Sequence, residues 1–137
     1  MSAATGPAAE RPGVLVNMMW CVPGKVGGSE EYLVRQLLGL SELDEPRWHP
    51  TVVVARGLAA AHPELRAVAD VVEPNFDSSS RARRIIGEAT WLRQHSGDAP
   101  LIHHGGGTAP FRAHRPYVLT IHDLQFRTYP QYFSRLK

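Results

Sequence analysis

Three stretches of this chain carry residue types suited to chemistry, and all are rich in glycine or histidine. They are Met18 to Ser29, with Gly24, Lys25, Gly27 and Gly28; His103-His104-Gly105-Gly106-Gly107-Thr108; and His122-Asp123-Leu124. A Gly27-Gly28 turn running into a helix lets backbone N–H groups approach an anion, and the helix dipole adds to the attraction. A Cβ at Gly28 is expected to obstruct that approach and to strain a turn needing positive φ. The turn is neither a Walker A loop nor a Gly-x-Gly-x-x-Gly fingerprint, so a plain tight turn is the competing reading. His122 could donate a hydrogen bond to a phosphate or a sugar hydroxyl, and with Asp123 beside it could move a proton. Its competing reading is an imidazole satisfied by a neighbouring carbonyl.

Other chemistries fare less well. His104-Gly105-Gly106-Gly107 resembles the oxyanion loop of esterases, but the chain has no Gly-x-Ser-x-Gly nucleophile elbow. His103, His104, His114 and His122 are zinc-type ligands, yet adjacent strand residues point to opposite faces, so no metal is expected. Arg81, Arg83 and Arg84 read as a solvated helix start, with an anionic membrane surface as the sharper alternative.

Positioning these groups falls to a series of short apolar runs: Val14-Leu15-Val16, Thr51 to Val54, Val71-Val72, Leu101-Ile102 and Tyr117 to Ile121. They are β-branched and continuous, as in parallel strands covered on both faces. Leu33, Leu37 and Leu40 predict an intervening helix capped by Ser29 or Gly28. Ile85, Ala89 and Leu92 predict another after Ser78-Ser79-Ser80, and a weaker one is predicted over residues 63–69. The alternation implies an α/β fold with an open, doubly wound, Rossmann-like and mostly parallel sheet. Every glycine and histidine cluster then leaves the carboxyl ends of strands, the edge where such sheets bind ligands.

Composition bounds the function further. A chain of 137 residues, 43% apolar and 20% charged, fits one globular domain. A net charge of +2 gives no nucleic-acid footprint. No apolar run reaches the ~18 residues of a membrane span. The single cysteine, Cys21, excludes a disulfide framework and fits a reducing, cytoplasmic setting. Gly13 to Val22 has the length of a signal-peptide core, but Glu10, Arg11 and Asn17 and the lack of an Ala-x-Ala site argue against one. Residues 1–12 read as a flexible leader and 13–137 as the domain. Doubly wound domains normally continue with further strand–helix pairs after such a fifth run. A truncated domain with an exposed apolar edge is therefore expected.

Together, Gly27-Gly28-Ser29-Glu30-x-Tyr32, His103 to Pro110, Thr120-Ile121-His122-Asp123-Leu124 and Tyr129-Pro130-x-Tyr132-Phe133-Ser134 resemble the amino-terminal half of GT-B retaining glycosyltransferases of family four, closest to mannosyltransferases. The resemblance spans Val14 to Lys137. It implies transfer of a sugar from a nucleotide-sugar donor to a hydroxyl of a glycan or lipid-linked acceptor, with retention and without a cofactor. It places Gly27 and Gly28 at the donor diphosphate and His122, the catalytic residue, at the transferred sugar. His104, Gly105, Gly106, Thr108 and Asp123 would border or support the acceptor side. It also implies a location in the cytoplasm or at the inner face of the membrane. The family's carboxyl-terminal, donor-gripping domain has no counterpart in these residues, so the chain alone is expected to be inactive. The rival reading is a non-catalytic α/β ligand-binding or interaction module.

Overall fold

The computed structural model describes residues 12–44 and 47–133. Most of the expected leader and Ser134 of the last motif lie outside them. The apolar runs form strands β1 (Gly13–Met18), β2 (His49–Val54), β3 (Asp70–Val72), β4 (Leu101–His104) and β5 (Tyr117–Leu119). They make one parallel sheet in the order β3-β2-β1-β4-β5, with β1 central. Between them lie α1 (Gly28–Ser41), α2 (Leu58–Ala61), α3 (Leu65–Val68), α4 (Arg81–Ala89) and α5 (Trp91–His95); α6 (Gln125–Thr128) and a 3-10 turn at Pro130–Tyr132 follow β5. This is the open, doubly wound, Rossmann-like sheet expected from the sequence.

Successive side chains of a strand point to opposite faces, so β1 divides its residues between two cores. Val16 and Met18 join Val52, Val54, Leu58 and Leu65 under α1, where Leu33, Val34 and Leu37 complete the cluster. Leu15 joins Val53, Leu92 and Ile102 on the other face, with Phe76 and Trp91 packed against them. The register sets Val16 beside Val52 and His103, and Asn17 beside Val53 and His104. His103 and His104 therefore face opposite sides of the sheet.

Several local expectations change. Helix α1 is capped by Gly27, at φ 60°, with no side-chain cap, rather than by Ser29 or Gly28. Gly28 has no positive φ, and a Cβ there would meet nothing within 4 Å. The expected apolar stripe splits: Leu92, in the separate helix α5, is buried, but in α4 Ile85 and Ala89 are exposed while Gly87 and Glu88 are buried. The reason lies in close approach. A Cβ on Gly87 would overlap the Phe76 ring, so the helix docks through its glycine and through Glu88. The fifth strand stops at Leu119 rather than Ile121, and its Tyr117 and Val118 are exposed. Among the described residues no helix is long and apolar enough to cross a membrane.

Candidate functional site

The site grows from the end of β1. Asn17 is buried there, and its Oδ1 accepts the Met19 N–H at 3.1 Å. That bond fixes the amide, leaving Nδ2 to donate to Glu88 Oε1 at 2.9 Å and to His104 Nδ1 at 3.0 Å. An amide nitrogen only donates, so His104 Nδ1 accepts and the imidazole proton sits on Nε2. Burial agrees: it pushes the His104 pKa down to about 4, with His103 and His114 adding repulsion. The same burial raises the Glu88 carboxyl above its ordinary range, opposed by the Asn17 bond and the Arg84 guanidinium. His104 thus turns inward to a buried network rather than toward a ligand.

The glycines that follow it are dictated by packing. A Cβ on Gly105 would overlap Leu33, and one on Gly106 would overlap the Trp20 indole; Gly107 sits at φ +78°. Trp20 itself is held by its indole N–H donating to the Asn17 carbonyl at 3.2 Å. The loop after β4 is thereby clamped against the loop after β1.

His122 completes the convergence. A carbonyl oxygen can only accept, so the 2.7 Å contact has His122 Nε2 donating to Gly105 O. Its ring lies 5.8 Å from Trp20 and 5.7 Å, edge-on, from Tyr32 in the first turns of α1. The loops after β1, β4 and β5 therefore meet at one imidazole. On the opposite side of the strand from His104, His103 Nε2 contacts Thr120 Oγ1 at 2.7 Å; burial, then His122, keeps its pKa below the ordinary value. Asp123 does not join His122. Its Oδ1 accepts the Gln125 N–H at 3.2 Å, a local turn at the start of α6.

The glycine loop is pinned from the side. Glu30 in the first turn of α1 accepts the Gly24 N–H at 2.8 Å and pairs with His62 Nε2 at 2.6 Å. The His62 bond holds the Glu30 carboxyl below its ordinary pKa, and the Glu30 carboxylate raises the His62 imidazole, so the two form an ion pair. Gly27 supplies no capping side chain, and its carbonyl takes the Glu30 N–H at 3.1 Å, which leaves the Gly28 and Ser29 N–H groups to solvent or to a ligand. Nearby Cys21 is fully buried; burial, with the Glu30 charge behind it, pushes its thiol up to about 12. It is an inert core residue.

Gly27, Gly28, Gly105, Gly106 and His122 thus share the carboxyl edge of the sheet, while Thr108 lies farther along and lines a separate cleft with α4. Among the described residues no three His, Cys, Asp or Glu side chains come together as a metal site. The sequence reading passed over Asn17, Trp20, Glu30, His62 and Glu88. Asn17 carried a usable signal, as the lone polar residue inside the Val14–Cys21 apolar run. The others depend on partners far away in the chain. No family model, curated protein or solved structure matches this chain.

Proposed function

We propose that the chain forms the acceptor-side half of a retaining glycosyltransferase, which moves a sugar from a nucleotide-sugar donor to an acceptor hydroxyl. The observation that carries this reading is the meeting of the three motif loops at His122. In it, the Gly28 and Ser29 N–H groups at the start of α1, beside Gly27, offset charge building on the departing diphosphate. The Nε2–H bond to Gly105 O aims the His122 ring; Nδ1 then accepts from a sugar hydroxyl, and donates to the phosphate only as the imidazolium. The acceptor hydroxyl attacks from the face the diphosphate leaves, and the diphosphate takes its proton. The nearby first-turn carboxylates do not oppose this, since Glu30 pairs with His62 and Glu31 with Arg35.

The test follows sugar transfer and nucleoside diphosphate release by the full gene product with GDP-mannose, UDP-glucose and UDP-N-acetylglucosamine. A hydrogen bond to a charged group is worth about 1.5–3 kcal/mol, so His122→Ala should lower kcat by on the order of 10²-fold with the fold intact. The product should keep the donor's anomeric configuration. If no donor is turned over, or if His122→Ala keeps its rate and only lowers Tm, the imidazole is a strut between loops. The chain is then a binding module.

A further inference from the structure

Away from His122, a cleft of about 610 Å³ lies between α4, α5 and the 108–112 loop. Arg81, Arg84, Arg93 and Arg112 all line it, with Thr108 on its rim and Glu88 as the sole carboxylate among the lining residues. The guanidiniums come from a helix start, a helix interior, a second helix and a loop, so the fold gathers what the sequence scatters. Like charges converging this way repel one another, and a bound anion relieves that repulsion. One of them is also incomplete: Arg84 Nε is buried and has no hydrogen-bond partner among the described residues. A buried charged donor left unmatched costs stability, and natural structures usually match it.

We infer that this cleft binds a phosphate monoester, its oxygens held by the guanidiniums of Arg84, Arg93 and Arg112 and by the Thr108 hydroxyl. A carboxylate fills one guanidinium fork, whereas a phosphate monoester offers three terminal oxygens and a double negative charge to several forks at once, which favours phosphate here. Even with Arg81 set aside, Arg84, Arg93 and Arg112 against an ionised Glu88 leave a surplus of two positive charges, enough for a dianion. The volume leaves room for the group esterified to the phosphate, against a wall that includes Ile85 and Phe111. Both of these apolar side chains are exposed, so the ester fits a soluble metabolite or the headgroup of a lipid whose chains the wall would meet. The inference stands on this cleft and does not rest on the sugar-transfer reading.

Two probes test it: glycerol 3-phosphate by calorimetry, and phosphatidylcholine vesicles doped with phosphatidic acid by co-sedimentation. Binding of the soluble ester assigns a metabolite, and binding of the vesicles alone assigns a lipid headgroup. In either case Arg84→Gln should weaken binding about tenfold or more. Arg112→Gln, on an exposed loop, should do the same and carries the test if Arg84→Gln fails to fold. Glu88→Gln keeps an acceptor for Asn17 while removing the opposing charge, so it should tighten binding severalfold. Arg66→Gln, on α3, should change nothing. Failure of both probes to bind overturns the proposal. So does a loss with Arg66→Gln equal to that with Arg112→Gln, or sulfate binding as tightly as the ester, since either marks a diffuse charge field.

Discussion

Strands β2 and β5 are built from similar residues and meet opposite fates. Val52 and Val54 on β2 are 0% exposed, whereas Val118 on β5 is 49% exposed. Helices account for the contrast. Strand β2 lies between β1 and β3, with α1, α2 and α3 over one face and Leu92 and Phe76 packed on the other. Beyond β5, α6 and the 3-10 turn bury no residue, and Ile121, Leu124, Phe126, Tyr129 and Tyr132 remain exposed with Tyr117. An apolar run specifies a strand; whether that strand is dry depends on what crosses over it.

Truncating each region measures the contrast directly. Leu65→Ala empties a fully buried site and should cost about 2–5 kcal/mol in urea unfolding. Val118→Ala should cost about 0.5 kcal/mol or less. Equal losses would mean that β5 is covered in solution. The glycines give a second, smaller contrast. Gly106→Ala drives a methyl into the Trp20 ring and should cost about 1–3 kcal/mol. Gly28→Ala meets open space at the start of α1 and should be neutral or slightly stabilising. A large loss at Gly28 would show that the turn is tighter than its geometry here.

The smallest effect concerns the Glu30–His62 pair. The His62 pKa is raised, so its contribution is full below the ordinary 6.5 and lost as pH rises through the folded value. The Glu30 pKa is lowered, so its contribution is full above the ordinary 4.5 and lost as pH falls through the folded value. The pair therefore stabilises most between those limits. His62→Gln should remove the alkaline part of the decline, seen as a smaller drop in urea midpoint between pH 6 and pH 8.5. An unchanged drop would assign the decline to other groups.

Much of this fold was legible because strands and loops announce themselves locally. Val14–Val16 and Thr51–Val54 could hardly be anything but buried strands, and the glycines after β1 and β4 marked the loops. The outward turn of Ile85 was not legible, because it depends on Gly87 meeting a Phe76 ring from another segment. The imidazoles divided along the same line. His122 was visible as a residue following a strand, and a carbonyl partner was one reading of it, but that the carbonyl belongs to Gly105 was not legible. His104 looked like a rim residue until the register set it beside Asn17. Spacing shows which face a residue takes; its partners belong to the tertiary fold.

The central place of β1 also governs how the chain is made. Strand β1 leaves the ribosome ahead of both its partners, β2 on one side and β4 on the other, where Val14 waits for Leu101. At roughly 5–20 residues per second, that second partner arrives on the order of ten seconds later. Among the described residues every pairing is parallel and needs a crossover, so no hairpin closes the gap. During that interval Leu15 and Asn17 can touch neither Ile102 nor His104, and the nascent β1–β2 unit shows an uncovered apolar face. Chaperone binding during translation should therefore fall on the segment between Gly13 and Val54 and end once β4 has emerged.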